Sequence, residues 1–139
     1  MKVLNLFAAM LLSLMIVGCG RIDSAPAPSV TAPTSMSGKT IKSTITSGSG
    51  GFTTTGTSDF VTSNTKNQYT INGDVVNVAN SAGTFSYSSS GNQGVVAFDD
   101  PGFGKGNYNL TFTSTTSGTY TADVAQNSSA NQTGTFIVQ

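Results

Sequence analysis

Gly134-Thr135-Phe136-Ile137-Val138-Gln139 closes the sequence on an extended, alternating segment. Phe136 and Val138 fall on one side of such a chain and Thr135 and Ile137 on the other, so the segment reads as a strand with an apolar face. Its edge would be a liability unless another strand covered it, and the first strand of the domain, predicted over 40–47 with Ile41 and Ile45 on one face, is the natural partner. Pairing last with first closes the sheet. The expected fold is therefore all-β: a small antiparallel up-and-down barrel of about eight strands, with a two-sheet β-sandwich as the alternative.

Working outward from that end, the same grammar recurs. Short alternating segments separated by Gly, Asn and Ser predict strands over 40–47, 51–57, 68–72, 74–80, 84–89, 94–99, 107–114, 119–125 and 135–139. Side chains sort by parity: Phe85 with Tyr87, Tyr108 with Leu110 and Phe112, Tyr120 with Ala122 and Val124, mostly facing away from Thr, Ser and Asn. Asn72-Gly73 suits a type I′ hairpin, Ser90-Gly91-Asn92 caps another, and Asp100-Pro101-Gly102 places proline where its fixed φ starts a turn. Gly83-Thr84-Phe85, Gly118-Thr119-Tyr120 and Gly134-Thr135-Phe136 repeat one pattern, read as glycine freeing a turn and an aromatic entering the core. The ending resembles the small calycin-like barrel domains of bacterial lipoproteins over roughly the last 70 residues. That resemblance implies a barrel and carries no ligand with it.

Composition narrows the function classes. Of 139 residues only 9 % are charged, with six basic residues balanced by six acidic ones, all of them Asp. No electropositive face is available for a phosphate backbone, so nucleic acid is not an expected partner. Histidine is absent and cysteine occurs once, which removes histidine-based triads, Cys/His zinc sites and intrachain disulfides.

The N-terminus carries an address. Lys2 precedes an apolar run from Leu4 to Val17, too short for a transmembrane helix of about 20 residues and suited to an export signal. It ends in Ile16-Val17-Gly18-Cys19, which resembles the lipobox of bacterial lipoproteins. The resemblance implies cleavage between Gly18 and Cys19, diacylglycerol on the Cys19 sulfur and an acyl chain such as palmitate on the new N-terminus. Several acyl chains, at about 0.8 kcal/mol per buried methylene, make a durable membrane anchor. No other cofactor is expected. Gly20 stands where many lipoproteins retained in the inner membrane carry Asp, so in a Gram-negative cell the resemblance favours the outer membrane. The expected organisation is a signal peptide over 1–18, a lipid-anchored Pro/Ser/Thr-rich tether over 19–37 and the β domain over 38–139.

Candidates for chemistry are few. Asp99-Asp100, ahead of Pro101-Gly102-Phe103-Gly104-Lys105-Gly106, invites comparison with a calcium site or an anion loop. Calcium takes about six to eight oxygens, and a phosphate loop would need a further glycine and a Ser/Thr, so the pair reads instead as a solvated turn. Asn109-Leu110-Thr111, Asn127-Ser128-Ser129 and Asn131-Gln132-Thr133 match a glycosylation acceptor that Asn, Ser and Thr abundance also produces by chance.

If the barrel holds a cavity, its lining comes from Phe52, Phe60, Tyr69, Phe85, Tyr87, Phe98, Tyr108, Phe112, Tyr120 and Phe136. Six of these head the candidates: Phe85, Tyr87, Tyr108, Phe112, Tyr120 and Phe136. Inward tyrosine hydroxyls need partners, and Ser43, on the face of Ile41 and Ile45, can supply one. Three functions compete: a non-enzymatic envelope lipoprotein that binds or builds, a carrier of a small hydrophobic molecule, and a metal-assisted enzyme using Asp99 and Asp100. A filled interior is favoured over a hollow one.

Overall fold

Threonine and aromatic residues at alternate positions extend the chain into eight strands. They are β1 (Thr40–Gly48), β2 (Gly56–Thr62), β3 (Gln68–Gly73), β4 (Ser81–Ser90), β5 (Gln93–Asp100), β6 (Gly104–Phe112), β7 (Ser117–Val124) and β8 (Asn127–Val138). The structure, a computed structural model, describes residues 29–74 and 80–139. The strands pair antiparallel in sequence order, and β1 closes on β8 from Ile41 opposite Val138 to Gly48 opposite Gln132. The result is the closed eight-strand up-and-down barrel, not the sandwich, and the edge of the final strand is covered by the first.

Parity sorts the side chains as the sequence predicts. Ile41, Ser43 and Ile45 of β1, Tyr108, Leu110 and Phe112 of β6, Tyr120, Ala122 and Val124 of β7, and Phe136 and Val138 of β8 are all buried. Thr111, Thr119, Thr135, Thr44 and Thr57 pair in turn across β6, β7, β8, β1 and β2. They alternate with those buried positions and point outward. Lys42 pairs with Asp59 across β1 and β2 at 2.9 Å, and Lys105 with Asp99 across β5 and β6 at 3.6 Å. An outer face of hydroxyls and charges around an apolar interior is the reverse of a bilayer-spanning barrel, which needs an apolar band outside. Among the described residues no helix is long and apolar enough to cross a membrane.

Three local expectations are corrected. The strand expected over 51–57 lies later, at Gly56–Thr62. Gly50 and Gly51 take positive φ of 60° and 103°, which ends the extended run and leaves Phe52 in the β1–β2 connection. Asn72-Gly73 is not a hairpin turn: both residues stay in β3, opposite Asp59 and Ser58. The strand expected over 74–80 is not seen at Asp74 or Asn80, and 75–79 lie outside the described residues. Gly91 behaves as expected, its φ of 56° turning β4 into β5 with Ser90 opposite Gln93.

The third correction concerns the Gly-Thr-aromatic repeat. Gly118 and Gly134 do not free turns. They sit inside β7 and β8 facing inward, and each lies opposite a large ring: Gly118 beside Phe112 and Phe136, Gly134 beside Tyr120. A Cβ built on Gly134 would stand 2.8 Å from Tyr120 Cε1 and would collide with the Thr44 carbonyl oxygen. The glycines make room for aromatic rings within the curved wall.

The barrel has two unlike ends. At the end where β1 begins, β4 pairs with β3 only as far as Thr84, while on its other side it pairs with β5 up to Ser90. Residues 30–37 fill the flank so exposed. The Ala32 amide donates to the Gly91 carbonyl (2.8 Å), and Met36 is fully buried among the core residues. Thr62 clasps the segment: its hydroxyl accepts from the Lys39 amide (2.9 Å) and donates to the Met36 carbonyl. The folded body thus begins before Gly38, inside the stretch read as tether, because Val30, Ala32 and Met36 are apolar side chains with an interior to enter.

Candidate ligand pocket at the open end

Among the described residues, no such segment closes the opposite end. Here β1 turns into β2, β5 into β6 and β7 into β8, and an apolar cavity of about 190 Å³ opens between these connections. Phe60 of β2, Tyr69 and Ile71 of β3, Phe98 of β5, Tyr108 of β6 and Ala122 of β7 form its wall, with Ser58 and Gln132 adding polar atoms. Phe52 and Phe103, both from turns, stand at its rim, and Phe103 is 41 % exposed. The interior is filled at one end and open at the other.

Ring packing shapes the wall. Phe60 and Tyr69 stack with centroids 4.2 Å apart, Phe98 meets Tyr69 edge-on at 6.4 Å, and Tyr108 stacks on Tyr120 at 4.5 Å. Offset stacks and edge contacts of this kind add to the burial energy of the rings. At the filled end, Phe112 and Phe136 meet at 79° with centroids 5.0 Å apart.

Three of the four tyrosine hydroxyls are paired, while among the described residues the buried hydroxyls of Tyr87 and Ser81 meet no partner in hydrogen-bond geometry. The Tyr108 hydroxyl donates to Ser43 Oγ (2.9 Å), the partner anticipated from strand parity. The Tyr120 hydroxyl donates to Gln132 Oε1 (3.0 Å), and Gln132 Nε2 donates to the Thr53 carbonyl (3.3 Å). Burial pushes the acidity of Tyr108, Tyr120 and Tyr87 to higher pH, so these phenols stay neutral.

Asp99 and Asp100 do not form a site together. Successive strand residues point to opposite faces: Asp99 faces solvent beside Lys105, and Asp100 is 2 % exposed. The solvated turn expected for the pair holds for Asp99 alone. Asp100 Oδ2 accepts from the Tyr69 hydroxyl (2.9 Å), and Oδ1 accepts from the amides of Gly102 (2.7 Å) and Phe103 (3.1 Å). Burial alone would raise the Asp100 carboxyl. The Gly102 amide, the nearby Ser81 hydroxyl, the Tyr69 hydroxyl and the Phe103 amide outweigh it and hold the carboxyl below the usual range. Tyr69 is raised in turn, by burial first and then by its bond to that carboxylate. Among the described residues no group of three or more Cys, Asp, Glu or His could hold a metal ion.

Of the six leading cavity candidates, only Tyr108 lines the cavity. Tyr120 backs it, Phe112 and Phe136 fill the far end, and Phe85 and Tyr87 border the N-terminal segment in a shallow depression with Met36. Phe52, Phe60, Tyr69 and Phe98, from the wider set of ten, belong to it. Phe103, Ile71, Ala122 and Gln132 were not singled out. Phe103 carried a signal, a large aromatic inside Pro101-Gly102-Phe103-Gly104 where a solvated turn has no use for one. The lipobox residues Ile16 to Cys19, and with them the cleavage and lipid sites Gly18 and Cys19, lie outside the described residues.

Comparison of the chain with family models, with curated proteins and with solved structures finds no match.

Proposed function

We propose that the protein is a lipoprotein of the bacterial cell envelope, cut before Cys19, held by lipid on that cysteine, and carrying its barrel as a non-enzymatic binding module. In a Gram-negative cell the outer membrane is the favoured address. The Ile16-Val17-Gly18-Cys19 motif supports the anchor. One observation carries the binding reading: the described chain enters from Ser29 at the plugged end, while the apolar cavity opens at the opposite end. Attachment through the segment at the plugged end favours a cavity turned away from the lipid.

The chemistry of the interior supports a non-catalytic role. The chain has no histidine, its inward tyrosines hold their protons, and the buried carboxylate of Asp100 has both oxygens committed to Tyr69 and the turn amides. The carrier reading survives in reduced form. A cavity of about 190 Å³ is below the roughly 300 Å³ at which sites for drug-sized ligands begin, and Met36, Phe112 and Phe136 occupy the other half of the interior.

Fractionation tests the anchor. The native chain is expected in the membrane fraction, and Cys19→Ser in the uncleaved or soluble pool. A native chain recovered soluble, or a Cys19→Ser chain that is cleaved before residue 19 and still partitions with the membrane, contradicts the proposal.

A further inference from the structure

We propose that the cavity at the open end is a site for one uncharged aromatic molecule of one or two fused rings, of the phenol or indole type; the inference rests on the binding-module reading above. Size sets the class. An apolar cavity of about 150 Å³ accommodates benzene, so 190 Å³ fits a single ring with a substituent or a small fused pair and excludes a folded acyl chain or a macrocycle.

The walls favour a ring over an alkyl group of the same volume. Phe60, Tyr69, Phe98 and Tyr108 line the cavity, with Phe60 stacked on Tyr69 and Phe98 edge-on to Tyr69, so an entering ring joins a cluster that already packs by both kinds of aromatic contact. Charge is excluded. Among the described residues no charged side chain lines the cavity, and a carboxylate or ammonium there would lose its water without gaining a counter-ion. One polar substituent can be met, because Ser58 and Gln132 bring a hydroxyl and an amide to the wall. Entry is by way of Phe52 and Phe103, whose rings make the rim apolar.

The test uses the full chain in lipid nanodiscs, followed through the methyl resonances of Ala122 and Ile71 during titration with indole, phenol or octanoate. Saturable shifts with indole or phenol and none with octanoate are expected. Ala122→Leu, which fills the cavity, abolishes the Ile71 shift. Ile71→Phe narrows the cavity from its wall and does the same to the Ala122 shift should the first variant fail to fold. Absence of saturable shifts with both rings, shifts with octanoate equal to theirs, or unchanged binding in both variants would overturn the inference. Anchoring at Cys19 is read in a separate fractionation, so failure of ring binding leaves that result standing.

Discussion

At the scale of single residues, the barrel is held by rings that need space and by polar atoms that need partners. Gly134 supplies the space for Tyr120. Gly134→Ala is expected to cost about 3 kcal/mol or more, since the new methyl meets backbone that cannot give way, and urea unfolding measures it. Asp100 supplies a partner. Asp100→Ala strands the Tyr69 hydroxyl and two turn amides, at about 1–3 kcal/mol. Because its carboxyl is more acidic folded than unfolded, Asp100 stabilises the barrel at neutral pH. That contribution disappears as pH falls through the folded value, below the ordinary aspartate range near about 4. Unfolding curves of Asp100→Asn are expected to show a shallower loss of stability in that acid window. All four tyrosines titrate in the opposite sense. Folded, they hold their protons beyond the ordinary value of about 10, so stability is lost as pH rises above it. Absorbance at about 295 nm should show tyrosinate forming together with loss of the barrel's circular dichroism, not before it.

Among the elements, the N-terminal segment is the one whose role exceeds its appearance. Met36→Ala is expected to cost about 2–5 kcal/mol, as for other fully buried core side chains, although it lies in a stretch rich in Pro, Ser and Thr. Thr62→Val, which removes the clasp on Lys39 and Met36, should weaken the same end by about 1–3 kcal/mol. Hydrogen exchange of the Ala32 amide, bonded to Gly91, would report whether the segment lets go before the barrel does. Met36 was hidden by composition, because nothing in a Pro/Ser/Thr-rich stretch announces that one methionine has an interior to enter. By contrast, β6, β7 and β8 were legible since period-two alternation states directly which side chains face in. Asn72-Gly73 misled because a good hairpin dipeptide is also tolerated at the end of a strand when both residues are paired with a neighbouring strand. The pocket was half legible: strand parity found Tyr108, but the rim rings Phe52 and Phe103 come from turns, where no period applies.

For the whole molecule, the account joins an address to an orientation. Among the described residues, closure of β1 on β8 covers the edges of the first and last strands, and the outer wall of Thr, Lys and Asp suits water. In the proposed lipoprotein, attachment falls to the lipid on Cys19, and entry of the chain from Ser29 at the plugged end favours an orientation with the aromatic-rimmed cavity outermost. Intact-mass measurement of the chain extracted from envelopes tests this most directly. The account predicts a chain that begins at Cys19 and carries the added mass of diacylglycerol, with or without a further acyl chain. A chain that keeps residues 1–18, or is cut at another bond and carries no lipid, would contradict it.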